Sequence, residues 1–395
     1  MKTICFAKYD AGIRIYKQAK ALKETKKYKL LLICEKCDYN LLKEVFDDII
    51  FLGVLKNKNN NFLSRSCNYT TNKLFKYGEK KLKRVINGID VDLFHTHADS
   101  NDIPRGIIEN SDRPVIFDEQ DFSGISYGLE NLDEKTKEDE RYCFEHADGI
   151  IRKGPPFEID YYRQHGYNIN CPELQWLDYC DADLFADVNR AKLSDEDGDT
   201  HFVLVGSISP DKNYQIKYCI PLGKELARQK IHLHIYPAPL EYKISKEYHE
   251  LARKEKYFHF HRPVPYKELS NEIAKYDWGI VDASVTLPTD FEGERMSNDR
   301  KKSGIGNRPF TFMEAGIPFI VSKMYVLYRD IAERNKIGFS IDNTELSRLG
   351  ELIKEYDYFE LKENVRKARD TLSLSKQVEH LEMFYQKVID NYRYN

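Results

Sequence analysis

Short, continuously apolar runs alternate with amphipathic helical patterns along this sequence, once through its first half and again through its second. Thr3–Ala7, Leu30–Cys34, Ile49–Leu55, Val91–His97, Pro114–Gln120 and Ala147–Arg152 read as the first series of strands. Helical patterns fall between them, as at Ile13–Lys23, where Ile15, Ala19 and Leu22 share one face, and at Lys135–His146. His201–Val205, Ile231–Tyr236, Phe258–Phe260, Trp278–Val281, Pro318–Ser322 and Gly338–Ile341 form the second series. Strands apolar on both faces belong in the middle of parallel sheets, and helices supply the crossovers that parallel neighbours require. The pattern therefore predicts an α/β fold of two Rossmann-like domains, spanning 1–187 and 201–372. Residues 188–200, polar and without a strand pattern, read as the linker. A final amphipathic helix, Ser375–Tyr392, occupies 373–395.

A chain of 395 residues is too long for one ordinary core, and 41% hydrophobic residues suffice for two. The net charge of −3 argues against a nucleic-acid partner. No apolar run reaches the roughly 18 residues of a membrane span. The opening MKTICFAKYD reads as a strand and not as a signal peptide. The eight scattered cysteines are then reduced thiols of a cytoplasmic protein. Cys34 and Cys37 form one Cys-x-x-Cys without a second, so no metal is expected.

The most informative stretch is Ser303–Lys323, SGIGNRPFTFMEAGIPFIVSK. A loop with Gly304 and Gly306 leads into a short helix. Pro309 suits its first turn, and Gly316 suits its end. A buried strand comes next. A helix that starts at a glycine-rich loop turns free N–H groups and the positive end of its dipole towards an anion. A plain loop–helix–strand unit of an α/β sheet would read the same way.

Asn307, Phe310, Met313, Ala315, Gly316, Pro318 and Ser322 also resemble the Asn-Lys-x-Phe-Glu-Tyr-Met-Ala-Ala-Gly-x-Pro-Val-x-x-Ser pattern of family-4-like glycosyltransferases with the GT-B fold. Other segments keep to that family's order. Asp92–His97 is similar to its Asp-Val-Val-His-x-His strand, and Pro114–Asp121 to its Pro-Val-Val-Tyr-Asp-x-His-Asp strand. Gly206–Asn213 resembles its Val-Gly-Arg-Leu-x-Pro-x-Lys-Gly loop.

The resemblance implies two domains facing each other across a cleft, with the last helix crossing back to the first domain. It implies transfer of a sugar from a nucleotide-sugar to an acceptor; the basic stretch 56–88 points to a glycan or lipid-linked acceptor, in surface polysaccharide or glycoconjugate synthesis. Anomeric configuration would be retained and no metal or other cofactor needed. His97 and Lys212 would be catalytic, His97 at the sugar and Lys212 on the leaving diphosphate. Gly12, Arg14, Gly206, Ser207, Asn307, Arg308, Phe310, Thr311 and Glu314 would line the donor site. Asp118 and Asp121 would take acceptor hydroxyls, or merely cap the segment after their strand. Two departures stand out. The family's glutamates fall on Ser303 and Thr311, which leaves Glu314, one turn on, as the substitute. Its arginine falls on Ser207. A sugar-nucleotide epimerase of the same fold, and a non-catalytic scaffold that binds glycan, are the alternatives.

Between Lys56 and Gly88, nine basic residues face a single acid, Glu79, with Phe62, Tyr69, Phe75 and Tyr77 interleaved. This is either a solvated face or a surface for anionic headgroups. At roughly 1 kcal/mol per basic residue it would hold the protein peripherally at the inner face of a membrane.

Overall fold

The computed structural model describes residues 1–53, 80–98, 101–119, 122–187, 189–293, 298–303 and 306–394. Two compact units are present. The first comprises Met1–Leu177 together with Gln377–Asn395, and the second Asp178–Lys376. The basic stretch 56–88 lies outside the described residues except for its end, 80–88, which is helical. Among the described residues no helix is long and apolar enough to cross a membrane.

The first unit holds a seven-stranded sheet: β1 (Lys2–Ala11), β2 (Tyr28–Cys37), β3 (Asp48–Phe51), β4 (Leu93–His97), β5 (Val115–Glu119), β6 (Gly149–Arg152) and β7 (Glu173–Gln175). Their order is β3-β2-β1-β4-β5-β6-β7, and every pairing is parallel. Ile4–Ala7 and Leu30–Cys34 are wholly buried, as continuous apolar runs at a sheet centre must be. β1 runs on past Ala7, where its apolar run stops, and ends at Ala11.

The helix Leu374–Tyr394 closes this unit with a stripe of Leu381, Phe384, Tyr385, Val388 and Ile389, all buried. It comes so near β6 that a Cβ on Gly149 would lie 2.6 Å from Val388 Cγ2 and 3.0 Å from Phe384 Cζ. Gly149→Ala is therefore expected to destabilise the unit by about 1–3 kcal/mol through overpacking. Chemical denaturation read by the near-UV signal of the buried aromatics checks this.

The second unit holds a six-stranded sheet: β8 (Thr200–Val205), β9 (Ile231–Tyr236), β10 (Phe258–Phe260), β11 (Trp278–Ile280), β12 (Phe319–Ser322) and β13 (Gly338–Ile341). The order β10-β9-β8-β11-β12-β13 is again parallel throughout. One face is packed by Phe202, Leu204, Leu233, Ile235, Leu222 and Leu226. The helix Arg308–Glu314 begins with Pro309 in its first turn, and Gly316, at φ +71°, stands just past its end, as the sequence suggests.

The boundary between the units falls earlier than expected. Residues 178–187 belong to the second unit because its interior binds them. Asp181 N donates to Glu314 Oε1 at 2.8 Å, Ala186 N to the Glu314 carbonyl at 2.9 Å, and Arg369 Nη1 to the Ala186 carbonyl at 2.9 Å. The expected linker, 188–200, is held by the same unit. Lys192 Nζ is buried and donates to the carbonyls of Ala274 (2.7 Å) and Tyr276 (2.9 Å). Polarity signalled a linker, but here the lysine serves as a tie between loop carbonyls.

Candidate functional site

In an open parallel sheet, ligands bind beyond the carboxyl ends of the strands where the strand order reverses. The first sheet reverses between β1 and β4, the second between β8 and β11. Gly12 directly succeeds β1, and His97 is the last residue of β4. Gly206 and Ser207 come directly after β8, and Val281 and Asp282 after β11. Residues marked by the sequence thus stand at the reversal point of each sheet.

At the first reversal point four polar side chains converge on one carboxylate. Arg14, in the helix Ile13–Glu24, donates from Nη2 to Asp118 Oδ1 at 3.0 Å and Oδ2 at 3.1 Å. Gln18 Nε2, one turn on, donates to Asp118 Oδ2 at 2.8 Å. His95 Nε2 lies 3.2 Å, and His97 Nδ1 3.6 Å, from that oxygen. His95 Nδ1 meets Tyr385 Oη at 2.6 Å, and the two imidazoles stack at 4.5 Å. Both histidines and Asp118 are fully buried.

Burial alone would raise the Asp118 carboxyl. The Arg14 guanidinium and the imidazoles outweigh it and hold that carboxyl well below its usual range. Burial pulls His95 down and His97 well down, so both rings are neutral at physiological pH. The structure thus joins His97, Arg14 and Asp118 in one enclosed ion cluster. Arg14, expected at the donor phosphates, is engaged by Asp118, and Asp118, expected at acceptor hydroxyls, is engaged by Arg14. His97 is enclosed rather than open to a ligand. Gly12 is extended, and a Cβ there would meet nothing within 4 Å. Asp121 lies outside the described residues. The sequence did not single out His95, although its spacing of two from His97 on a strand puts both on one face.

At the second reversal point Gly206 has φ +84°, a conformation that favours glycine, and its N–H donates to the Tyr236 carbonyl at 2.9 Å. Arg308 donates to the carbonyls of Ser207 and Val281, and so bridges the ends of β8 and β11. Lys217 Nζ donates to Ser207 Oγ at 3.3 Å, and that hydroxyl donates to Glu241 Oε1 at 3.3 Å. Asp282 Oδ2 accepts from Tyr325 Oη at 3.0 Å. Lys212 stands on the loop after β8, largely exposed, with Glu247 Oε1 3.9 Å away. Gly306 N donates to Tyr328 Oη at 2.6 Å.

Of the helix residues expected at the donor, Asn307 supplies the carbonyl that Thr311 N and Thr311 Oγ1 bond, at 3.0 and 3.3 Å. Phe310 and Glu314 are placed elsewhere than expected. Phe310 is a fully buried core residue beside Tyr179. Glu314 is fully buried, and its Oε1 holds the backbone of Asp181.

No protein-family model matches the sequence, and among curated proteins none does either. Solved structures match along the whole chain. Sucrose-phosphate synthase from Thermosynechococcus elongatus superposes with a TM-score of 0.71 at 13% identity, covering 99% of this chain and 100% of that one. HepE from Anabaena, in complex with UDP and glucose, gives 0.64 at 14% identity with full coverage of both chains. The UDP-GlcNAc 2-epimerase of Neisseria meningitidis, bound to UDP-GlcNAc, gives 0.57 at 13% identity, covering 98% of this chain and 100% of that one. The fold is GT-B, two Rossmann-like domains, as the sequence implied.

Proposed function

We propose that this protein is a glycosyltransferase that moves a sugar from a nucleotide-sugar, in the first instance a UDP-sugar, to a hydroxyl of a glycan or lipid-linked acceptor. The end-to-end match to solved structures that hold UDP, glucose or UDP-glucose carries this reading. The reversal point of the second sheet supports it. Backbone without a Cβ at Gly206 allows a phosphate close approach, Arg308 and Lys217 stand beside it, and Lys212 is on the loop that follows. Lys212, largely exposed and 3.9 Å from Glu247, can swing onto a departing diphosphate. Stabilising charge that appears only in the transition state raises turnover rather than binding. In a configuration-retaining reaction the leaving phosphate itself takes the acceptor proton, and no protein base is required. Surface-polysaccharide or glycoconjugate synthesis is the setting that the basic sequence 56–88 favours for such a transferase.

Incubating the protein with a panel of UDP- and other nucleotide-sugars, and measuring release of the nucleoside diphosphate, tests the reading. Release that increases with an acceptor sugar is expected. Binding of no nucleotide-sugar would remove the reading and leave a glycan-binding scaffold. Lys212→Ala is expected to lower turnover at least tenfold. Because the side chain is exposed, its melting temperature should match the parent's; equal turnover would take Lys212 out of the site. A second reading draws on the similarity to UDP-GlcNAc 2-epimerases. It predicts an epimeric UDP-sugar, formed from UDP-GlcNAc without acceptor, detectable by NMR.

A further inference from the structure

The second face of the C-terminal sheet carries histidines where apolar residues would be expected. His201 is the second residue of β8, His232 and His234 are the second and fourth of β9, and His259 is the second of β10. His261 stands just past β10 and continues its ladder, donating from N to the Ile235 carbonyl at 2.9 Å. The register pairs His201 with His232 and His234 with His259, so the rings share one face. His201 and His232 stack at 4.4 Å, and His234 and His259 at 4.2 Å, each pair within 6° of parallel.

The rings are wired in two chains of one polarity. His201 Nδ1 meets His234 Nε2 at 2.9 Å, and His234 Nδ1 meets His261 Nε2 at 2.9 Å. His232 Nδ1 meets His259 Nε2 at 2.8 Å. Both chains start at the amino-terminal rim of the sheet, and both present Nε2 to a carboxylate there. His201 Nε2 lies 3.2 Å from each oxygen of Asp197, and His232 Nε2 3.3 Å from Asp199 Oδ2. Gly198, at φ +76°, turns the chain between the two aspartates, and both remain partly exposed. Asp197, Asp199 and His232 can each bring one ligand atom within 4.8 Å of the others. Lys256 Nζ, exposed, reaches Asp199 only at 3.9 Å.

We propose that Asp197, Asp199 and His232 bind a divalent transition-metal ion of the zinc class, with His259 holding the ligating ring in place and His201 steadying Asp197 from the next strand. Mixed imidazole–carboxylate sets suit zinc, which takes such ligands at about 2.0–2.2 Å. Two tetrahedral ligand atoms at those bond lengths stand about 3.3–3.6 Å apart, close to the nitrogen–oxygen separations here. A ligating histidine usually donates its other ring N–H to an acceptor that fixes its tautomer. With protons on Nδ1 throughout, both chains do this, and the His232 lone pair at the rim is free for the ion. Without an ion the protons move to Nε2, and the aspartates accept them. The rim lies at the opposite strand ends from the proposed nucleotide-sugar site, so this inference stands whether or not that reading holds.

The full-length protein, stripped with a chelator and dialysed, would be titrated with Zn²⁺ by calorimetry and with Co²⁺ by visible absorption. One equivalent of Zn²⁺ is expected, with tetrahedral cobalt bands and a higher melting temperature in Zn²⁺ than in Mg²⁺. Asp197→Asn combined with Asp199→Asn alters only partly exposed side chains, and its folding can be checked by circular dichroism. It should weaken Zn²⁺ binding at least tenfold, and an alanine at exposed His165 should not. Absence of a stoichiometric Zn²⁺ site, or affinity unchanged in the folded Asp197→Asn/Asp199→Asn variant, would overturn the assignment and leave a metal-free imidazole network.

Discussion

Replacing Asp118 by alanine is expected to cost the N-terminal unit about 3–5 kcal/mol, because it removes the buried carboxylate that Arg14, Gln18 and His95 share. Both partners are almost wholly enclosed, so water cannot take over the role of the carboxylate. Urea unfolding monitored through the buried aromatics would show the loss. The paired change Arg14→Met with Asp118→Leu removes both charges and is expected to recover most of it. An Asp118→Ala protein as stable as the parent would mean that Arg14 finds another anion.

The pH dependence has a definite sign. The depressed Asp118 carboxyl gives stability that is complete above its unfolded value of about 3.9 and fades as pH falls towards its folded one. The neutral His95 and His97 act in the same direction. Their unfolded forms take up protons below about pH 6.5 while the folded rings resist. Acid should therefore destabilise the parent more steeply than the charge-free double variant.

Gly338→Ala is expected to destabilise the C-terminal unit by about 3 kcal/mol or more, at the upper end of overpacking effects. An added Cβ would stand 1.9 Å from the Phe319 carbonyl oxygen. The obstacle is the neighbouring strand's backbone, which cannot rotate aside as a side chain can. Relief requires β13 to part from β12, and four residue pairs hold that edge. Loss of amide protection over Phe319–Ser322 in hydrogen exchange would report the parting. Protection equal to the parent's would show that the edge shifts without breaking.

The alternation of apolar runs and helices made both sheets legible, because a strand buried on both faces leaves little freedom in composition. Gly316 and Pro309 were readable for the same reason: each answers a local backbone requirement. The polar groups were harder. Arg14, Asp118 and His97, singled out from the sequence, are brought together by the fold, but their type and position could not say that they would neutralise one another out of reach of solvent. That depends on distances across β1, β4 and the first helix, set by tertiary packing. Glu314 shows the same limit. Helical spacing put it one turn from the expected position, and only the fold shows it clasping residue 181. The helix Asp102–Asn110 escaped notice although Ile103 and Ile107 share its buried face, and the strand Glu173–Gln175 because it is only three residues long. The histidine sheet face was visible as two His-x-His repeats, His232–His234 and His259–His261, yet nothing in the sequence declares that β9 and β10 are neighbours.

The first unit takes in Gln377–Asn395, and Tyr385 from that segment sits against His95. During synthesis the lobe begun first is thus completed last. Until Tyr385 and its neighbours have emerged from the ribosome, β6 and the His95 ring lack their cover, while the whole sequence of the other lobe is already available to fold. The nascent N-terminal lobe must wait, partly open, through the translation of its successor, and is the part of the molecule for which a chaperone has most to do.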